Sequence, residues 1–157
     1  MVEQDSISYM NVYSKIYNCP FADLEKSFMD FTKKIKKLKV KPEGHIFYSV
    51  NGVIDEGNLL FEIFQPMMEK STEKTDLRYR SYFVIRDMVS VVVEKDAASR
   101  IEAAYAYLYA FAEENHKRIV SPFYNEVRVW GGKTYIIVKA VTGFRDLGQN
   151  DQTSSAG

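Results

Sequence analysis

The sequence predicts an α+β fold built from two β-α-β-β units in pseudo-twofold relation. They share a curved, mostly antiparallel sheet with both helices on one face. Three observations carry this. Two segments show the 3, 4, 3 apolar spacing of an amphipathic helix, one from Phe21 to Leu38 and one running on from Asp96. Each is preceded by a β-rich run and followed by two more. The two helical segments also look like copies of each other. At a shift of about 80 positions, Phe111 falls on Phe31, Leu108 on Phe28, Ile101 on Phe21, Val120 on Val40 and Pro122 on Pro42.

The first strand is expected over Ile7–Tyr17, where Ile7, Tyr9, Val12, Tyr13, Ile16 and Tyr17 favour a pleated surface. Cys19-Pro20 ends it, because proline brings no ladder donor. Phe21, Leu24, Phe28, Phe31, Ile35 and Leu38 mark the buried stripe of the first helix. Its other side carries Lys33, Lys34, Lys36 and Lys37, cations placed where the helix dipole suits them. Strands are expected over His45–Val50 and Leu59–Phe64, with Asn51-Gly52 and Glu56-Gly57 as turn residues between them. The polar run Met67–Asp76 reads as a linker between the halves.

A long strand follows over Tyr79–Val93, with a bulge or bend at Asp87-Met88. The second helix begins with Asp96 as N-cap. It buries Ile101, Ala104, Tyr105, Leu108, Phe111 and Ala112, and places Lys117 and Arg118 in its last turn. Phe123–Trp130 and Tyr135–Val141 form a hairpin about Gly131-Gly132, whose residues take positive φ freely. The apolar-poor end from Gly148 reads as a disordered tail. The layout is one domain over residues 1–147, with halves at 7–66 and 79–143 joined by a linker at 67–78.

Composition narrows the function. The 157 residues include 46% hydrophobic and 14% aromatic, enough for one packed core. The 21 basic and 21 acidic residues cancel, which argues against a nucleic-acid binder needing a cationic excess. The lone Cys19 can form no internal disulfide and suits a reducing cytoplasm. No leader pattern opens the chain, and no apolar run approaches the roughly 18 residues of a membrane helix. Metal-ligand spacing and a Gly-rich phosphate loop are absent from the sequence, and no cofactor is expected. His45 and His116 stand apart at a strand start and a helix end. No catalytic set is read, and the expected protein is not an enzyme.

The run LYAFAEENHKRIVSPFYNEVRVW, with VVVEKD upstream of its helix, resembles the signature of the GyrI-like small-molecule-binding domain. That domain also serves as the effector half of multidrug-responsive transcription regulators. The counterparts here are Leu108, Phe111, Glu113, Glu114, Asn115, Pro122 and Glu126. The family's helix commonly has Trp where Phe111 stands, and its strand an aromatic where Arg128 stands. The likeness spans Ile7 to Val141 and suits a stand-alone module, or a small uncharacterised bacterial family of the same layout. It implies a ligand groove between the two helices, with a carboxylate among aromatic walls.

On the last strand pair, Tyr124, Glu126, Arg128 and Trp130 share one face by alternation. Glu126 in a poorly solvated groove would attract a cation, with rings adding cation–π attraction. Arg128, roughly 7 Å away along the strand, could instead pair with it. Tyr105 and Tyr109 lie one helical turn apart, Tyr48 holds the position that the shift equates with Arg128, and Trp130 flanks the hairpin. With Phe111 these form the candidate ligand-binding set. Two functions are open. One is a binding protein for a small aromatic or amphipathic molecule. The other is an accessory protein whose filled groove leaves it to act through a homodimer or partner. Groove volume separates them, small-molecule sites starting at about 300 Å³.

Overall fold

The structure, a computed structural model, describes residues 2–53, 57–94 and 98–144. Asp96, Glu56, the tail from Gly148 and the side chains of Phe21 and Ile101 lie outside the described residues. The elements are β1 (Glu3–Pro20), α1 (Leu24–Lys37), β2 (Phe47–Val53), β3 (Asn58–Pro66), β4 (Arg78–Glu94), α2 (Ala98–Glu114), β5 (Lys117–Ile119), β6 (Tyr124–Trp130) and β7 (Lys133–Phe144). A single 3₁₀ turn, Phe21–Asp23, leads into α1. The expected α+β class and the curved antiparallel sheet with two helices are what the structure shows.

The strands follow the order β4-β1-β3-β2-β6-β7-β5, and β4 also pairs with β7. That last ladder, from Met88↔Val141 to Glu94↔Tyr135, closes six strands into a circuit. The two halves join along β1–β4 and β2–β6. The bulge expected near Asp87 is present: the β1–β4 register slips between Asp5 and Ile7, and Asp87 takes φ 58°. Asn11 on β1 takes φ 56°.

The duplication is visible, at a lag of about 77 rather than 80. Phe31 and Leu108 are both 0% exposed beneath their helices, and Ile35 and Ala112 follow one turn later. The two helices stop alike. Lys39 N–H bonds the Lys36 carbonyl, and His116 N–H bonds the Glu113 carbonyl. Lys39 and His116 both lie in the left-handed region at φ 58° and 55°. Lys117 and Arg118 therefore do not sit in the last turn of α2. They enter β5, whose three residues pair with Thr142, Gly143 and Phe144. The first half answers with one bridge, Pro42↔Met67.

Three apolar clusters hold the fold. Tyr13, Phe31, Ile35, Leu38, Phe61 and Ile63 pack under α1. Val89, Leu108, Phe123, Ile136 and Val138 pack under α2. Ile7, Val12, Phe47, Phe64 and Met88 fill the enclosed side of the circuit. The segment expected as a linker is anchored as well. Met67 and Leu77 are buried, and the Ser71 hydroxyl donates to the Leu38 carbonyl at 2.7 Å.

Gly44 is one place where glycine is required. It takes φ +101°, and a Cβ there would lie 2.7 Å from Tyr9 Cε1 and 3.3 Å from Pro66 Cβ. Gly44→Ala should cost about 1–3 kcal/mol from combined backbone strain and clash. Urea unfolding would show it, and an unmoved midpoint would mean that the Tyr9 ring swings aside freely.

Candidate functional site

Alternation along β6 divides the expected site residues between two faces. Asn125 and Val127 face the helices, since Tyr105 on α2 donates its hydroxyl to Asn125 Oδ1 at 3.0 Å and Val127 lines a cleft beside α1. Tyr124, Glu126 and Arg128 face the enclosed side. Tyr124 meets the rings of Phe47 at 6.4 Å and Phe83 at 6.2 Å there.

The cleft lies where β2 and β6 join. Leu24, Glu25 and Phe28 of α1 form one wall, and Tyr48, Val127 and Ile136 the floor, with Ile46 just before β2. Its volume is about 440 Å³. The lining is apolar apart from the Tyr48 hydroxyl and Glu25, an exposed side chain. Phe28 meets the Tyr48 ring edge-on at 5.4 Å. Burial is the main reason the Tyr48 phenol is held well above its ordinary pKa, with Tyr105 adding to it. Tyr105 is likewise raised by burial, and its ring stacks on Phe123 at 4.0 Å. Tyr48 and Asn125 face each other in the β2–β6 ladder, so the corrected lag equates Tyr48 with Asn125 rather than with Arg128.

The enclosed face holds a buried ionic set. Glu126 is 1% exposed and Lys139, on β7, 2%. Arg128 Nε donates to Glu126 Oε1 at 2.7 Å, and Lys139 Nζ lies 3.1 Å from Oε2. Lys139 also donates to the Ser6 carbonyl at 3.0 Å and lies 3.4 Å from Asp5 Oδ1. Burial, reinforced by the Glu126 carboxylate, pushes the Tyr9 phenol up to about 12. His45 is pulled below its ordinary value, by burial first and Arg128 second. A second buried acid, Glu62, accepts from the Ser14 hydroxyl at 2.7 Å and pairs with Arg80 at 3.2 Å.

Of the expected site residues, only Tyr48 lines the cleft, while Tyr105 bonds Asn125, which in turn donates to the Tyr48 carbonyl. Glu126 and Arg128 form an ion pair with each other on the other face. Tyr109 meets Phe123 edge-on at 5.3 Å, Phe111 packs on the α2 core, and Trp130 leans on Tyr135 at 5.2 Å near the hairpin. Sequence reasoning missed Leu24, Phe28, Ile46, Val127 and Ile136. Alternation groups Val127 with Asn125, but nothing local in β6 tells which of its faces meets the helices. Among the described residues, no group of three or more His, Cys, Asp or Glu could hold a metal, and no helix is long and apolar enough to cross a membrane.

Fold and cleft together define a duplicated α+β domain with an apolar recess beside its first helix. The chain belongs to the family described as Domain of unknown function (DUF5085), whose model matches residues 8–142. No curated protein matches it. Among solved structures, it is similar to the crystal structure of the EcmrR C-terminal domain, at TM-score 0.73 and 13% identity, covering 92% of this chain and 98% of that one. It is also similar to EcmrR in a cryo-EM structure of the EcmrR–DNA complex, at TM-score 0.72 and 13% identity, covering 92% of this chain and 57% of that one. At that identity the likeness is one of fold.

Proposed function

We propose that this chain is a small-molecule-binding domain of GyrI-like type, holding an aromatic or amphipathic ligand in the cleft beside α1. The observation that carries the reading is the cleft itself: about 440 Å³, with apolar walls and few polar groups, which is the character of ligand sites generally. The shared fold with the EcmrR C-terminal domain and the signature in residues 108–130 lend it support. A filled groove, as an accessory protein would have, is disfavoured by that opening. The balanced charge speaks for a ligand other than nucleic acid, and the lone Cys19 for a cytoplasmic setting.

Val127→Trp tests this directly. The indole would occupy the floor of the cleft from the strand, against the cleft-facing sides of Tyr48 and Ile136, without displacing a fully buried residue. The neutral dye N-phenylnaphthylamine, which brightens in apolar surroundings, should bind the natural chain. It should bind the variant at least roughly tenfold more weakly, a loss of about 1.4 kcal/mol. The melting temperature should stay within a few degrees. Undiminished dye binding in a folded variant would exclude this cleft as the site.

A further inference from the structure

The ligand class follows from which polar group the cleft leaves free. We infer that the cleft selects an uncharged, largely apolar ligand bearing a hydrogen-bond acceptor such as a carbonyl, received by the Tyr48 hydroxyl. This rests on the cleft being a ligand site, and names its chemistry.

Tyr48 lines the cleft, and the residue as a whole is buried, at 8% exposure. Its hydroxyl makes no hydrogen bond among the described residues. The other phenols of the two cores under the helices are occupied. Tyr13 accepts from Ser71 N–H at 2.8 Å, Tyr17 donates to Asp30 at 2.7 Å, Tyr79 donates to Asn11 at 2.7 Å and Tyr105 donates to Asn125. Asn125 Nδ2 is spent on the carbonyls of Tyr48 and Phe123, both at 3.4 Å. The floor therefore holds one donor without an acceptor. The oxygen is not sealed from solvent, since Glu126 Oε2 is the one buried side-chain polar atom without a hydrogen bond among the described residues, so water meets this donor until an acceptor on an apolar ligand displaces it. The same burial that holds the phenol neutral keeps it a donor at every physiological pH.

Charge argues the same way. Glu126, the carboxylate that a cation would seek, lies on the opposite face and is neutralised by Arg128 and Lys139. Among the described residues, the only charged side chain lining the cleft is Glu25, exposed to water, where an ion pair gains little.

Benzophenone and diphenylmethane make a matched pair, alike in shape and differing by the carbonyl. Displacement of N-phenylnaphthylamine would rank them, with the diphenylmethylammonium ion as a charged third. The natural chain should bind benzophenone and should not prefer the cation. Tyr48→Phe, which removes only the unpartnered hydroxyl and should fold normally, should weaken benzophenone roughly fivefold and leave diphenylmethane unchanged. Equal effects on the two compounds, or a preference for the cation, would overturn the inference while the cleft remains a binding site. Failure of all three compounds and the dye to bind the natural chain would overturn the cleft reading itself, and this inference with it.

Discussion

Phe47→Ala should lower the unfolding free energy by about 4 kcal/mol, within the range for deleting a buried aromatic ring. Phe47 is completely buried on the enclosed side of the circuit. It stacks on Phe64 at 4.6 Å and meets Phe83 at 5.4 Å, Tyr9 at 5.8 Å and Tyr124 at 6.4 Å. It also sits where the halves meet, paired with Phe64 on β3 and with Glu126 on β6. Removing the ring leaves a void walled by four aromatic rings that cannot all move inward, since each is tied to a different strand. Phe47→Leu should cost less, about 1–2 kcal/mol, because most of the volume stays. Urea unfolding of both variants is the measurement. Similar losses for the two would mean that the space collapses and the rings are less fixed than the contacts imply.

Glu126→Leu should cost about 3–5 kcal/mol, the usual result of stranding a buried partner charge. Lys139 would keep only the Ser6 carbonyl and the partly exposed Asp5 carboxylate. Arg128 is half-buried and can turn toward water, so Lys139 is the group that suffers. The midpoint of thermal unfolding should fall by roughly 10 °C for a chain of this size. The double variant Glu126→Leu/Lys139→Met removes both buried charges and should recover at least half of the loss. Dye binding in the cleft should be unaffected in the folded fraction, because Glu126 faces away from it. A double variant no more stable than the single one would show that the pair is not the source of the cost.

The fold was legible because its signals are local. Helical spacing at Phe28, Phe31, Ile35 and at Ala104, Leu108, Ala112, the Gly131-Gly132 turn, and the bulge at Asp87 can all be read from neighbours in the chain. The lag was misjudged by three residues for a physical reason. Three residues are nearly one helical turn, so a wrong shift still lays one buried stripe on another. Phe111 on Phe31 and Leu108 on Phe31 look alike in a sequence, and only burial tells them apart.

The site was less legible. Alternation correctly placed Glu126 and Arg128 together on one face of β6, but no local signal says which face the helices cover. Charge suggested the cleft. The β4–β7 ladder, formed by residues distant in the chain from Met88↔Val141 to Glu94↔Tyr135, instead encloses that face, and Lys139 arrives from β7 to complete the ionic set. β5 was missed because three residues carry no period, and their strand state is set by pairing with 142–144.

The ring of strands has a consequence for how this protein can meet others of its kind. β3 stands beside β1 only from Val12 onward, and β7 beside β4 only from Met88 onward. Among the described residues, Glu3–Asn11 of β1 and Arg78–Asp87 of β4 therefore have a partner strand on one side alone. Those stretches are where a foreign strand would add, and Arg78, Arg80, Arg86 and Asp87 place charge along one of them, which opposes it.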